Sequence, residues 1–235
     1  MNLCFVLSYC ANEAIINNLK KYGKVILVYP NKNLAEPVCC HADMQITQID
    51  RRSLVYSKSI NPTTLEELKN AGITMYEGNR DLTLKYPGNI AYNVLKVGRN
   101  IYHNTKFTDC VVKDIFEKIG CNFIYVKQGY AGCSSIYIKD FILTTDEGIE
   151  KKARTLGDKC FYFNGDDIIL KGYNRGFIGG SSGYIEDLGL LLTGTLDKLK
   201  EGNKVRGFLE KENINVIELS DMPIEDIGGI QIYKL

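Results

Sequence analysis

Five times along the chain a helical stretch closes on a turn residue and runs straight into a short apolar strand. The segments are KKYGKVILVY, KNAGITMY, EKIGCNFIYV, RTLGDKCFYF and EKENINVIEL. Gly23, Gly72, Gly120 and Gly157 close four of them and Asn213 the fifth. Gly and Asn accept the left-handed conformation at a helix C-terminus, so the five sites make one chemical choice. Ahead of four of the helices lie two further strand-like runs separated by a turn. The pairs are MQITQI with SLVYS, IAYNVLKV with IYH, SSIYI with FILTT, and SGYI with LGLLLTG. Their helices read NPTTLEELKNA, TDCVVKDIFEKI, DEGIEKKARTL and KLKEGNKVRGFLEKE. Pro62 stands just inside the first, and Thr108 and Asp146 are the expected N-caps of the next two.

Small residues open each unit: Cys40-His41-Ala42, Gly88-Asn89, Gly132-Cys133-Ser134, Gly180-Ser181-Ser182 and Gly228-Gly229. A period of about 48 residues predicts a repeat architecture of strand-strand-helix-strand units. The last unit stops after one strand, IGGIQIYKL, while the chain opens with LCFVL, NEAIINNLKKY and VILVY, which is what that unit lacks. The expectation is therefore one α/β domain over residues 1–235, a five-fold pseudosymmetric α/β-propeller. Its repeats open near 41, 89, 133, 181 and 229, and residues 1–40 complete the last. A closed ring needs no capping repeats.

Composition adds limits. With 45% hydrophobic and 24% charged residues, and 29 basic against 28 acidic, the chain has an ordinary globular balance. No Lys/Arg cluster stands out, so no nucleic-acid or membrane partner is expected. MNLCFVLSYC lacks a basic flank and reads as a buried strand, not a signal peptide. The eight cysteines form no CxxC pair; free thiols in a reducing cytoplasm are expected. Cys4, Cys110, Cys121 and Cys160 read as core filler, and His103 as a surface residue. Cys39-Cys40-His41 has metal-ligand residue types, but adjacent cysteines ligate one metal poorly, so no metal is assigned.

Five such units closed through the termini resemble the pentein fold of the guanidino-group-modifying enzymes: arginine deiminase, dimethylarginine dimethylaminohydrolase and the amidinotransferases. The ribosome anti-association factors share that fold without being enzymes. The resemblance implies a Cys nucleophile, a His on an H-x-D motif that moves protons, and acids that grip the guanidinium. His41-Ala42-Asp43 matches the motif, and Cys133 opens a first strand 92 residues on, close to two repeats. The resemblance thus implies Cys133 and His41 as catalytic residues and Asp43 as a ligand-holding acid.

Two departures stand out. Where the enzymes carry G-G-D, this chain has Gly179-Gly180-Ser181, so Ser181 replaces the acid; the next unit offers only Glu225 and Asp226 nearby. The C-terminal GGIQIYKL also resembles the enzymes' G-G-x-x-C-x segment, with Ile232 in place of Cys. The glycine-rich GYNRGFIGGSSG reads either as tight turns or as a ligand loop in which Arg175 holds a carboxylate. The implied mouth comprises His41, Asp43, Cys133, Ser181 and Asp226, and the loop reading adds Arg175 as a substrate-binding candidate. The expected function is a Cys-dependent hydrolase or transferase acting on a small guanidine or amidine through a covalent thio-intermediate, with no cofactor. The alternative is a non-catalytic propeller that binds a small ligand or a protein partner.

Overall fold

The computed structural model describes residues 2–235, and Met1 lies outside it. In chain order the elements are β1 (Leu3–Ser8), α1 (Glu13–Lys20), β2 (Gly23–Val28), a helical turn α2 (Ala42–Gln45), β3 (Ile46–Gln48), β4 (Ser53–Tyr56), α3 (Pro62–Asn70) and β5 (Thr74–Glu77). They continue with β6 (Leu95–Val97), β7 (Asn100–His103), α4 (Cys110–Lys118), β8 (Asn122–Tyr125), a second helical turn α5 (Ala131–Ser134), β9 (Ser135–Ile138), β10 (Phe141–Thr144), α6 (Glu147–Leu156) and β11 (Lys159–Tyr162). The chain ends with β12 (Ser182–Ile185), β13 (Gly189–Leu192), α7 (Gly202–Lys211), β14 (Val216–Glu218) and β15 (Gln231–Lys234).

The strands form five three-stranded sheets: β3-β4-β5, β6-β7-β8, β9-β10-β11, β12-β13-β14 and β15-β1-β2. Every sheet has the same construction. Its first two strands pair antiparallel, and the second and third pair parallel across the helix. The fifth sheet joins the two ends of the chain, with Leu3 opposite Lys234 and Val6 opposite Gln231. The ring is closed as the repeat required.

One packing rule serves all five units. Each long helix buries a pair at i and i+4: Ile15/Leu19, Thr64/Leu68, Val112/Phe116, Ile149/Ala153 and Val205/Leu209. That spacing puts both side chains on the face turned to the sheet. Their N-termini are capped by Asx side chains where the sequence offers them. Asn61 accepts from Thr63 N–H at 3.0 Å ahead of Pro62, and Asp146 from Ile149 N–H at 2.8 Å. Asn61→Ala is expected to lower stability by about 1 kcal/mol, measured by urea unfolding; an unchanged midpoint would show the cap to be redundant.

Several local expectations are corrected. The N-cap of α4 is Asp109, not Thr108: its carboxylate accepts from Val111 and Val112 N–H. Thr108 instead hydrogen-bonds His103 at 2.6 Å, which makes His103 a wholly buried residue and not a surface one. Cys110 is exposed, not core filler, because it opens α4 on the solvent side. Gly72, Gly120, Gly157 and Asn213 do adopt positive φ, but Gly23 does not. Gly23 begins β2, where a Cβ would lie 2.3 Å from the carbonyl oxygen of Leu3; there glycine permits close strand pairing. The first strands are also shorter than their apolar runs, since helical turns precede β3, β9 and β12.

Candidate active site

The first strands of the five sheets surround a central channel of ≈ 450 Å³, lined among others by Asp43, Gln48, Arg51, Lys96, Tyr137 and Gln231. At its floor the small residues that open four of the units converge, while Gly88, which opens the second, packs instead on Thr83. Gly179 packs so closely on the turn bearing Cys133 that a Cβ would meet the carbonyl oxygens of Gly132, Ser135 and Cys133 at 2.1, 2.4 and 2.7 Å. A side chain at this position would hold the units apart.

The floor brings Asp43 and Cys133 together. The Cys133 thiol donates to Asp43 Oδ2 at 2.8 Å. Asn93 locks both in place: its Nδ2 donates to Cys133 Sγ at 2.9 Å and to the Asp43 carbonyl at 3.1 Å. Its Oδ1 accepts from Cys133 N–H at 3.0 Å. Asn93 is the site residue that sequence reading missed. The signal was available, because Asn93 and Cys133 each stand two residues before the first strand of their unit.

His41 and Asp226 form a second pair, with Nδ1 3.7 Å from Oδ1. Asp226 is held by Gly228 N–H on Oδ1 and Phe177 N–H on Oδ2, each at 3.0 Å. The two pairs are linked through backbone, since Asp43 N–H donates to the Gly228 carbonyl at 3.0 Å. No hydrogen bond joins His41 to Cys133 among the described residues; each faces a carboxyl. Ser181 is fully buried and its hydroxyl donates to the carbonyls of Phe177 and Ile178. Arg175 lies apart from the floor, paired with Asp166 at the surface and 5.6 Å from the Phe177 ring centre.

Burial dominates the electrostatics. It pushes the Asp226 carboxyl up to about 8, aided by the charge of Asp43, against the two N–H groups that favour ionisation. It raises Asp43 to about 6, opposed by hydrogen bonds from Cys133 and Asn93. It lowers His41 to about 3. The His41–Asp226 contact is therefore an uncharged pair at neutral pH. The Cys133 thiol is pushed far up by burial and then by the charges of Asp43 and Asp226. Neither Asp43 nor Asp226 meets a Lys or Arg side chain among the described residues.

Asp43 is the member that reaches the channel. It is half-buried and forms part of the wall, while its Oδ1 is shielded from solvent and has no hydrogen-bond partner among the described residues. A buried acceptor of that kind ordinarily has a donor. The floor thus combines two acids, an orphaned oxygen, a thiol and a neutral imidazole, with no cation among the described residues. Among the described residues no group of three or more His, Cys, Asp or Glu is placed to hold a metal ion. No helix there is long and apolar enough to cross a membrane.

Solved structures share this architecture. AgrE, in a ternary complex with ornithine and NAD+, matches with a TM-score of 0.58 at 13% identity, over 97% of this chain and 38% of AgrE. The present chain thus spans well under half of that protein. The N-terminal domain of ArgZ, a cyanobacterial arginine dihydrolase, bound to product, matches at 0.56 and 12% identity over 98% of this chain and 95% of the domain. A dimethylarginine dimethylaminohydrolase adduct with S-methyl-L-thiocitrulline matches at 0.57 and 11% identity over 100% of both chains. At such identities the likeness is one of fold. No curated protein sequence matches the chain. The five-fold α/β ring is the pentein fold of the guanidino-modifying enzymes, and the match over residues 6–231 makes the chain a member of DUF6873, a family of unknown function.

Proposed function

We propose that the channel floor receives a small cationic guanidine or amidine and that Cys133 attacks its central carbon. The observation that carries this reading is the Cys133–Asp43 contact at 2.8 Å beside the unpartnered Oδ1 of Asp43. A thiol flanked by buried acids stays protonated, so it is inert until positive charge arrives. An amidinium set against Asp43 supplies that charge and the missing donor at once. It holds Asp43 ionised, and the Cys133 proton then has an acceptor one hydrogen bond away.

The sulfur–carbon bond forms as the thiol proton passes to Asp43, and the resulting adduct expels an amine, which takes that proton back. A water then adds to the thio-intermediate, giving its proton to the neutral imidazole of His41. The sulfur–carbon bond breaks, and the proton returns to Cys133. Asp226, with its Oδ1 3.7 Å from His41 Nδ1, is the carboxyl that the imidazole faces when it becomes charged. Ser181 and Arg175 have no part in these steps, since their polar groups are engaged elsewhere.

A second reading rests on the same raised thiol: a non-catalytic floor that binds a cation through Asp43 and Asp226 and leaves Cys133 unreacted. Two isosteric alkylating agents separate the two. Chloroacetamidine, which is cationic, is expected to label Cys133 at least about tenfold faster than neutral chloroacetamide, the value of one charged contact. Asp43→Asn should erase the difference. Release of ammonia or amine from a panel of guanidino, amidino and ureido compounds, lost in Cys133→Ser, completes the case. Equal labelling by both reagents would sink the cation-binding premise. Preferential labelling with no turnover across the panel would favour the binder.

A further inference from the structure

Three cysteines lie together just outside the floor. Cys10 stands in the loop between β1 and α1 and is exposed; Cys40 is buried immediately before His41; Cys39 is intermediate. The Cys10 Sγ is 3.5 Å from the Cys40 Sγ, and the Cys39 Sγ is 3.8 Å from it. Both backbones are fixed. Cys10 N–H donates to Ser8 Oγ at 3.1 Å. On the other side, Asn31 N–H and Gln45 Nε2 both donate to the Cys39 carbonyl at 2.9 Å, and Gln45 also reaches the His41 carbonyl at 3.2 Å.

Core packing does not explain the arrangement. A buried thiol serves as a small hydrophobe, but Cys10 is exposed and still points its sulfur at Cys40. The contact joins residues 30 apart in sequence. A disulfide has sulfurs about 2.0 Å apart, so closure asks the two sulfurs, now 3.5 Å apart, to approach by about 1.5 Å.

We propose that Cys10 and Cys40 are a reversible oxidation site that closes to a disulfide when the protein meets a peroxide. The exposed Cys10 sulfur attacks one peroxide oxygen; the O–O bond breaks, leaving a sulfenic acid, and the departing hydroxide takes the thiol proton as water. Cys40 then attacks the sulfenic sulfur. The S–O bond breaks, the second hydroxide leaves as water with the Cys40 proton, and the S–S bond forms. Two thiols are oxidised by two electrons and the peroxide is reduced to two waters. Burial and the neighbouring thiols hold the Cys40 proton tightly, which leaves the first step to Cys10. The bond forms one residue from His41, so the redox state of the protein and the geometry of the floor share one stretch of backbone.

The test is peroxide treatment of the full chain, blocking of remaining thiols, tryptic digestion and mass spectrometry. The expected product joins the peptide of residues 1–20 to that of residues 33–51, and dithiothreitol separates them. The link should persist in Cys39→Ser and vanish in Cys10→Ser and in Cys40→Ser. Cys110, exposed and with no sulfur partner among the described residues, is the internal control and should pass to higher oxides under the same dose. The proposal is overturned if Cys10 over-oxidises unlinked, as Cys110 does. It is equally overturned if the product is a loop within residues 33–51 that joins Cys39 to Cys40.

Discussion

Gly228→Ala is expected to lower stability by roughly 2–5 kcal/mol, shifting Tm down by roughly 5–15 °C. Two effects add. Gly228 has φ +81, a conformation that costs an alanine about 1–2 kcal/mol. An added Cβ would also lie 2.4 Å from both Cα and Cβ of His41 and 2.5 Å from its Cγ. Backbone cannot yield as a flexible side chain would, so the turn carrying Asp226 must lift away from the one carrying Asp43. The carbonyl of Gly228, which accepts from Asp43 N–H at 3.0 Å, moves with it. Gly207→Ala is the control: Gly207 lies within α7 with nothing within 4 Å of an added Cβ. It should gain about 0.5–1 kcal/mol from helix propensity. If the two variants unfold at the same denaturant concentration, the close approach of the termini-built unit to His41 is not under constraint.

Stability of the native chain is expected to fall by about 1 kcal/mol between pH 6.5 and 8, and Asp226→Asn should abolish the fall. A folded pKa of about 8 lies above the ordinary value of 3.8, so the fold holds a proton that the unfolded chain has released. Such a group stabilises fully below pH 3.8 and loses its contribution as pH rises through 8. His41 and His103 act in the opposite sense, since their folded values of about 3 and 4 lie below 6.5. They oppose Asp226 and Asp43, and as the unfolded chain gives up the rest of their protons above pH 6.5 they return about 0.4 kcal/mol each. Asp43, at about 6, has ionised by then. Across the window Asp226 is the group that lowers stability, at up to about 1.4 kcal/mol per pH unit for one proton, and the two histidines together offset about 0.8 kcal/mol of that fall. Urea unfolding at closely spaced pH values measures the slope. A rise across the window, or an equal fall in Asp226→Asn, would refute the assignment.

The propeller was legible in the sequence because its period is carried by many residues at once. Helix faces, left-handed turn residues and apolar strands repeat together, so tertiary effects at one site do not blur the pattern. The floor was less legible because its chemistry depends on two-residue offsets within turns. The run IAYNVLKV reads as one strand, yet β6 begins only at Leu95, and the residues ahead of it form the turn that aims Asn93 at Cys133. His41 stands five residues ahead of β3 rather than two, and there it meets Asp226 and not Cys133. Burial was invisible too. It makes His103 a core residue through its bond to Thr108, and it turns the floor's acids into proton holders, which no motif encodes.

The pairing of β1 with β15 brings the N–H of Leu235 to 2.8 Å from the carbonyl of Asn2. The polypeptide is therefore a circle that happens to be open at one sheet. Joining those ends and cutting elsewhere, at the β6–β7 hairpin for example, would preserve every strand pairing while renumbering every residue. In such a molecule the order in which chemical groups appear along the gene carries no information about which of them are neighbours. What has meaning is angular position, the blade a residue occupies and how far it stands from the start of that blade's inner strand. Comparisons of this chain with other five-bladed rings should therefore be made by rotation, testing each of the five superpositions, before any residue is matched to any other.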